Sequence, residues 1–301
     1  MALLLAEAAK LSLDMLHRGV IETIIEASPV FDYLPFLTVE GNSFKYNQEA
    51  TLGGASFYPV NGVWVEAAAT FTQKTANLAI LGGDADVDNF IQRSRSNIND
   101  QRGIQVALKA KSVARKFEQT FVTGDSTVDT NSFDGLSVAC GGEAATTGQT
   151  IRAATNGTAL TLVLLDQLLD LVKPARPDIL MCTRRTRRKI KALLVASAHY
   201  VQSGTNDFGR NVLDYDGIPI FVNDFLTDAK VCGSETAASS VYAVHFGEAD
   251  GVTGLQNGQI EVVDIGQLET KDASRVRIRW YVGMAVMHDT AVGRLRGING
   301  S

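Results

Sequence analysis

Three aspartates at alternate positions are the first residues in the chain whose types and spacing could do chemistry. Asp84, Asp86 and Asp88 form the D-x-D-x-D pattern with which a calcium-binding loop begins. The match ends there, because the sixth position should be glycine and is Asn89, and the twelfth should be a bidentate glutamate and is Arg95. The pattern therefore gives weak support to a cation site.

The same spacing fits a β-strand better than a loop. In an extended strand, residues two apart project to the same face, so the three carboxylates need cations opposite them. Arg275, Arg277 and Arg279 have that spacing and the opposite charge. We therefore predict that the two segments are neighbours, within one chain or across a subunit contact, and that each cross-strand pair contributes about 0.2–1 kcal/mol.

A dense basic cluster follows in the second half of the chain. Helical spacing places Ile190, Leu193 and Leu194 on the buried side of a helix and the cations on its exposed flank. Cations near a helix N-terminus oppose the helix dipole by about 0.3–1 kcal/mol each, so the cluster needs a compensating anion. The cluster, which we call the basic cluster, comprises Arg184, Arg185, Arg187, Arg188 and Lys191.

Several partners for the basic cluster remain open. The cations are either a solvated helix flank or paired with carboxylates of the same fold, with carboxylates of a neighbouring subunit, or with phosphate. The formal net charge of −5 argues against phosphate, because general nucleic-acid binding depends on widespread positive charge. Among specific roles, the sequence therefore favours a contact between subunits, with DNA the lesser alternative.

The residue types that most enzymes use show no recognisable arrangement. The chain lacks the glycine-rich phosphate loop, the dinucleotide fingerprint, H-E-x-x-H and G-x-S-x-G. The four histidines are scattered, and His288 beside Asp289 has no evident nucleophile to serve. The three cysteines have neither the number nor the spacing of a disulfide framework or a zinc site. We predict no catalytic site, no cofactor and no metal.

Length and composition limit the class of protein. A chain of 301 residues, 45% of them hydrophobic, can bury a substantial core without disulfides. Its apolar runs are interrupted by polar residues well before the about 20 residues that a membrane span needs. The N-terminal segment lacks the uninterrupted apolar centre of a secretion signal. We therefore expect no membrane insertion and a reducing compartment.

The elements that position these residues come in an unusual order. An amphipathic segment ends before Pro29, and a long polar hairpin interrupted by glycines follows, with little of its own to bury. A strand over the three aspartates leads to a helix predicted from 96 to 123. Short helices and strands then alternate, and the segment SRVRIRWYVGMAV near the end is the clearest strand. The long helix has one apolar face: Val106, Ala110, Val113, Phe117 and Phe121.

This order of elements resembles the HK97-like major capsid proteins of tailed bacteriophages. The resemblance covers nearly the whole chain and includes the phrases FDGL after the long helix, YDGIPIFVNDFL in the alternating region, and RIRWYVGMAVMHDTAVGRLRGI near the end. It implies an α+β fold with an N-terminal arm (1–35), an extended loop (36–75), a peripheral domain with a spine helix (76–150), a mixed α/β axial domain (151–261), and return strands of the peripheral domain (262–301).

The resemblance also implies a function. Members of the family assemble into pentamers and hexamers that form an icosahedral shell around double-stranded DNA, so the expected location is the virion, after assembly in the host cytoplasm. Expected partners are other copies of the chain, scaffolding, portal and decoration proteins, and packaged DNA through weak, non-specific contact. An encapsulin-like compartment with protein cargo is the alternative, and an α/β enzyme is a distant third.

Overall fold

The computed structural model of the chain describes residues 29–90, 93, 101–146, 148–173, 175–197, 203–205 and 211–300. The predicted amphipathic arm up to residue 28 and the first turn of the predicted spine helix lie outside the described residues. The described part combines two β-sheets, a two-stranded hairpin and helices, so the predicted α+β class is confirmed.

The first sheet is built around one long strand. Strand β14 (Ala273–Val286) pairs antiparallel with β4 (Ala79–Asp88) along one edge and with β12 (Val252–Gln256) and β13 (Glu261–Gln267) along the other. Strand β1 (Phe36–Thr38) adds to β12 in parallel. As the alternating sequence predicts, one face of β14 is fully buried, and its members are Val276, Ile278, Trp280 and Val282.

The spine helix packs on this sheet. Helix α1 (Gln101–Thr123) ends where the sequence predicts, and all five residues of its predicted apolar face are buried. Their side chains join those of β14 in two adjoining clusters. The amphipathic period of the helix and the alternation of the strand therefore meet in one core.

The loop that follows α1 turns back against the end of the helix. The amide of Gly135 donates to the carbonyl of Gly124 at 2.9 Å, and the short helix α2 (Leu136–Ala139) then begins. A methyl group at Gly135 would overlap the carbonyl oxygens of Thr120 and Phe121. Glycine is required in the FDGL segment because its backbone approaches the backbone at the end of α1 so closely.

The second sheet has eight strands. These are β5 (Thr150–Arg152), β6 (Ile179–Cys182), β7 (Ser203–Thr205), β8 (Asn211–Tyr215), β9 (Ile218–Val222), β10 (Lys230–Cys232), β11 (Glu235–Val244) and β15 (Val292–Ile298), in the order β5-β15-β11-β6-β9-β8-β7, with β10 beside β11. Helices α3 (Leu162–Leu171) and α4 (Arg184–Ala196) pack on one face of it. The other face packs against the end of α1 and against β14. The second sheet therefore lies between α3 and α4 on one side and the core of the first sheet on the other.

The assignment of the last segment, 262–301, to one domain does not match the sheet topology. Strands β13 and β14 do join the first sheet, but β15 pairs with β5 and β11 in the second. Conversely, β12 lies within the range predicted as axial and joins the first sheet. Strands β12 and β15 are buried on both faces in the sheets that they join, and the linear hydrophobic pattern does not say which sheet that is.

The predicted hairpin exists, with a long region beyond its strands. Strands β2 (Ser43–Thr51) and β3 (Thr70–Asn77) pair antiparallel, and residues 52–69 between them form no strand. The base of the hairpin is fixed to the end of β14. The hydroxyl of Tyr46 donates to the carbonyl of Val286 at 3.0 Å, the amide of Gln48 donates to that of Met287 at 2.7 Å, and Lys74 pairs with Asp289.

We expect Gly135→Ala to lower the free energy of unfolding by about 1–3 kcal/mol, because the added methyl group overpacks a contact between two backbone segments. The matched control is Gly258→Ala, where the site is open and the cost arises from positive φ alone. Urea unfolding of the two variants measures the difference. A smaller loss at Gly135 than at Gly258 would contradict the packing argument.

Candidate functional site

The structure brings two of the predicted charge pairs together within one chain. Arg275 binds Asp86 through two hydrogen bonds of 2.6 and 2.8 Å, and Arg277 binds Asp84 through two of 2.7 and 2.8 Å. Lys271 adds a third contact to Asp86 at 2.9 Å. Hydrogen bonds from Arg277 to Asp84, and from Arg275 and Lys271 to Asp86, hold the pKa of each carboxyl below its ordinary value.

The third predicted pair does not form. The antiparallel register that sets Arg275 opposite Asp86 places Arg279 opposite Gly82 and Asp88 opposite Ala273. Arg279 binds Glu261 on β13 at 2.6 Å, and Asp88 accepts a hydrogen bond from the amide of Phe90 at 2.8 Å. Equal spacing in two segments therefore predicted their pairing but left the register undetermined, and the register decides which charges meet.

The basic cluster lies on α4, as its spacing indicates. Thr183 caps the helix, and Ile190 and Leu194 are buried against the second sheet. Two of the cations form ion pairs with carboxylates of the same chain: Arg184 pairs with Asp224 at 3.3 Å and Arg185 with Asp228 at 3.4 Å.

The other three cations of the cluster, Arg187, Arg188 and Lys191, are exposed. None of them makes an ion pair with any residue in the described part of the chain. Carboxylates of the same fold therefore neutralise only one end of the cluster.

The histidine and aspartate that could have formed a catalytic pair have structural roles. The ring nitrogen Nδ1 of His288 accepts a hydrogen bond from the backbone amide of Thr290 at 3.3 Å and caps the 3₁₀ turn Asp289–Ala291. Asp289 pairs with Lys74 of the hairpin. Both side chains therefore hold the hairpin base and the start of β15 in place.

Another histidine links the two sheets. Nδ1 of His245, at the end of β11, lies 2.9 Å from a carboxylate oxygen of Asp178, and Nε2 lies 3.6 Å from one of Asp250. Asp178 also accepts a hydrogen bond from the amide of Phe246 at 2.7 Å. These contacts fix the segment through which the chain passes from the second sheet to the first.

Sequence reasoning missed an ion pair made by a buried arginine. Arg294 on β15 is 1% exposed; its Nη2 lies 2.8 Å from a carboxylate oxygen of Glu143, and its guanidinium lies over the ring of Tyr242 at 5.4 Å. Lys230 reaches the other oxygen of Glu143 at 2.7 Å. Burial alone would raise the pKa of Glu143, but the hydrogen bonds from Lys230 and Arg294 outweigh it and lower the pKa to about 2. An arginine within the apolar segment AVGRLRGI was the available signal.

Concave sites in the described part of the chain offer little for catalysis. A cleft of about 810 Å³ lies between the hairpin base and the loop after α1, and its charged residues are Lys74, Asp134 and Asp289. Lys74 and Asp289 pair with each other, and the carboxylate of Asp134 accepts a hydrogen bond from the backbone amide of Ser126 at 2.8 Å. Within the described residues, no group of three or more His, Cys, Asp or Glu side chains is arranged to hold a metal ion.

The hairpin tip, residues 52–69, is the most exposed apolar surface. Rings of Tyr58 and Trp64 lie 4.4 Å apart, and the amide of Val65 donates to the hydroxyl of Tyr58 at 3.1 Å, so the tip has internal contacts. These contacts leave its large apolar side chains in solvent: Leu52, Phe57, Val60, Val63, Trp64 and Val65 are each at least 73% exposed. A concentration of exposed apolar side chains of this kind marks an interaction site.

Comparison with known proteins gives these features a context. A family model described as the SU10 major capsid protein matches residues 66–299. The chain belongs to the SU10 major capsid protein family. This capsid protein therefore has a structural role in a virion, and the HK97-like resemblance predicted from the sequence is confirmed. No curated protein sequence matches it.

Solved structures show the same fold across nearly the whole length of this capsid protein. An SrpI encapsulin from Synechococcus elongatus is 18% identical with a TM-score of 0.70, over 90% of this chain and 88% of that one. A chain of Microbacterium phage Oxtober96 is 13% identical with a TM-score of 0.66, and the capsid of a native GTA particle is 16% identical with a TM-score of 0.64; both matches cover 90% of each chain. Among the described residues, no helix is long and apolar enough to span a membrane.

The lowered pKa of Glu143 predicts how stability depends on pH. A carboxyl whose pKa falls from 4.5 to about 2 stabilises the folded state when ionised. Its contribution is therefore complete above about pH 4.5 and is lost as the pH falls towards 2. We expect Glu143→Gln to cost about 1–2 kcal/mol at pH 7, a figure discounted because half of the side chain faces solvent, and much less at pH 2.5.

Urea unfolding at both pH values, with the exposed Glu248→Gln as control, measures this effect. An equal loss for Glu143→Gln at the two pH values would show that the ionised carboxylate is not what stabilises the fold.

Proposed function

We propose that this capsid protein assembles into pentamers and hexamers that close an icosahedral shell around double-stranded DNA. The observation that carries the proposal is the hairpin tip. A monomer leaves six large apolar side chains of the tip in water, and burying each of them would contribute about 1.5–3 kcal/mol. A second copy of the chain supplies the missing partner surface without requiring any other protein.

The way the hairpin is attached supports the same proposal. Its base is fixed to the end of β14 by hydrogen bonds and an ion pair, whereas its tip extends beyond the paired strands. A two-stranded hairpin is marginal by itself, so the part that extends beyond the packed base adds little to the stability of the monomer. An arm that is held at one end and apolar at the other fits a contact with an adjacent subunit.

The two sheets fit the two domains that the HK97-like resemblance implies. The first sheet with α1 corresponds to the peripheral domain, and the second sheet with α3 and α4 to the axial domain, with β12 and β15 exchanged between the predicted ranges. Scaffolding, portal and decoration proteins are further partners in this proposal, and assembly takes place in the host cytoplasm. The arginine and aspartate pairs on β4 and β14 stabilise the chain itself, because their charges are already matched within it.

The experiment that tests the proposal is negative-stain electron microscopy of the purified chain, with the absorbance ratio at 260 and 280 nm measured on the same fraction. The expected result is closed shells. When the chain is purified from cells that also supply the packaging proteins, these shells should contain nucleic acid. Shells that contain protein cargo in place of nucleic acid would favour the encapsulin-like alternative. A stable monomer under all assembly conditions would contradict the proposal.

Polar substitution at the tip separates assembly from folding. We expect Phe57→Ser with Trp64→Ser to abolish shell formation and to change the free energy of unfolding of the monomer by no more than about 0.5 kcal/mol, because both side chains are exposed before assembly. Val128→Ser is the matched control, since Val128 is 84% exposed but lies outside the hairpin. Normal shells from the tip variant would show that the tip is not an assembly contact.

A further inference from the structure

A second basic surface lies on the spine helix. Sequence reasoning did not single it out, because the most evident pattern in that segment is the recurrence of apolar residues. From residue 101 to residue 117 the chain has five cations and no acidic residue. One of the five, Arg102, pairs with Asp264 at 2.5 Å. Lys111, Arg115 and Lys116 are exposed on the side of α1 that faces away from the first sheet, and within the described residues none of them forms an ion pair.

One loop joins this surface to the basic cluster. The guanidinium of Arg115 lies 5.5 Å from the ring centre of Phe225, and the preceding residue, Asp224, pairs with Arg184 at 3.3 Å. Two consecutive residues thus contact α1 on one side and α4 on the other. The exposed cations of the two helices are therefore parts of one surface.

The loop between the helices is firmly held. The side-chain amide of Asn223 donates to a carboxylate oxygen of Glu118 on α1 at 2.8 Å, and both residues are buried. The backbone amide of Asn223 donates to the carbonyl of Cys182 at 3.1 Å, just before α4. Because the loop is tied to both helices, the relative positions of their cations are fixed by the fold.

The joined surface has the charge pattern of a polyanion site. On α4, Arg184, Arg188 and Lys191 recur at helical spacing along one side, and on α1, Lys111 and Arg115 are one turn apart, about 6 Å along the axis. Three carboxylates of the described part lie at the loop between the two sets, and each already has a partner: Asp224 pairs with Arg184, Asp228 pairs with Arg185, and the buried Glu118 accepts a hydrogen bond from Asn223. A shallow groove of about 530 Å³, lined by cations, polar residues, Leu108 and Phe225, runs along α1 beside the loop.

We infer that this two-helix surface is where the shell contacts the phosphates of packaged double-stranded DNA. The inference rests on the proposed function. Duplex DNA carries one negative charge per about 1.7 Å of its length, so it neutralises scattered cations without a matching geometry. A protein neighbour would need a carboxylate for each cation and an apolar centre to its contact. The groove has two large apolar side chains, Leu108 and Phe225, whereas the hairpin tip exposes six.

Fluorescence anisotropy of a labelled linear duplex, titrated with the unassembled chain at several salt concentrations, tests the inference. The slope of log K against log salt reports about 0.9 per phosphate neutralised. We expect Lys111→Gln with Arg115→Gln to reduce that slope by about 2, and Arg188→Gln with Lys191→Gln to do the same. Lys45→Gln, which removes an exposed cation from the hairpin, is the control and should leave the slope unchanged.

The outcomes separate this inference from the proposed function. Unchanged DNA binding by both double variants, with normal shells in electron micrographs, would overturn the inference and leave shell assembly standing. Loss of shells by these variants with unchanged DNA binding would identify the surface as a contact between copies and would also overturn it. If the wild-type chain never forms shells yet binds DNA through these residues, the phosphate-binding surface is supported and the proposed function fails.

Discussion

The packing of Phe117 against Trp280 is the contact on which the arrangement of the molecule depends. Their rings lie 5.1 Å apart and join the spine helix to the long strand of the first sheet. Phe31, from the 3₁₀ turn Pro29–Asp32, lies 4.9 Å from Phe117 and extends the cluster towards the N-terminus. The same buried cluster includes Ile179 and Tyr242 of the second sheet. One core therefore fixes the positions of both sheets, and the hairpin extends from a rigid base on which the basic helices are packed.

A rigid base explains how a capsid protein can expose so much apolar surface and still fold. The core is complete without the hairpin tip, so exposure of the tip costs the monomer little of its stability. When a second copy covers that surface, its burial contributes hydrophobic free energy that stabilises the assembly and not the monomer. The separation between a self-sufficient core and an unsatisfied arm is what distinguishes a shell-forming subunit from an enzyme of the same size.

Local sequence patterns predicted the elements well and long-range pairing poorly. The buried faces of α1 and β14 follow from periodicity. A local signal that was not used is the Asp216-Gly217 pair: both residues have positive φ, 51° and 78°, as a type I′ hairpin turn requires. The unmatched third charge pair and the transfer of β15 to the second sheet depend on register and topology, which no local pattern encodes. Arg294 and Glu143 are far apart in the sequence. The apolar segment around Arg294 therefore showed an arginine without an evident role, and no local pattern identified Glu143 as its partner.

The two sets of charges show why net charge is a poor guide to DNA contact. On β4 and β14, carboxylates and guanidinium groups meet at 2.6–2.8 Å, so their fields cancel locally. On α1 and α4, the residues one helical turn before and after each exposed cation include hardly any acid: Glu118 is buried and bound to Asn223. Screening limits each charge to about 8–10 Å at physiological salt. A phosphate on the two-helix surface is therefore affected mainly by the nearby cations, and the excess acids elsewhere in the chain, which set the net charge of −5, weaken that attraction without abolishing it. Net acidity therefore disfavours phosphate binding over the protein as a whole but not on this surface.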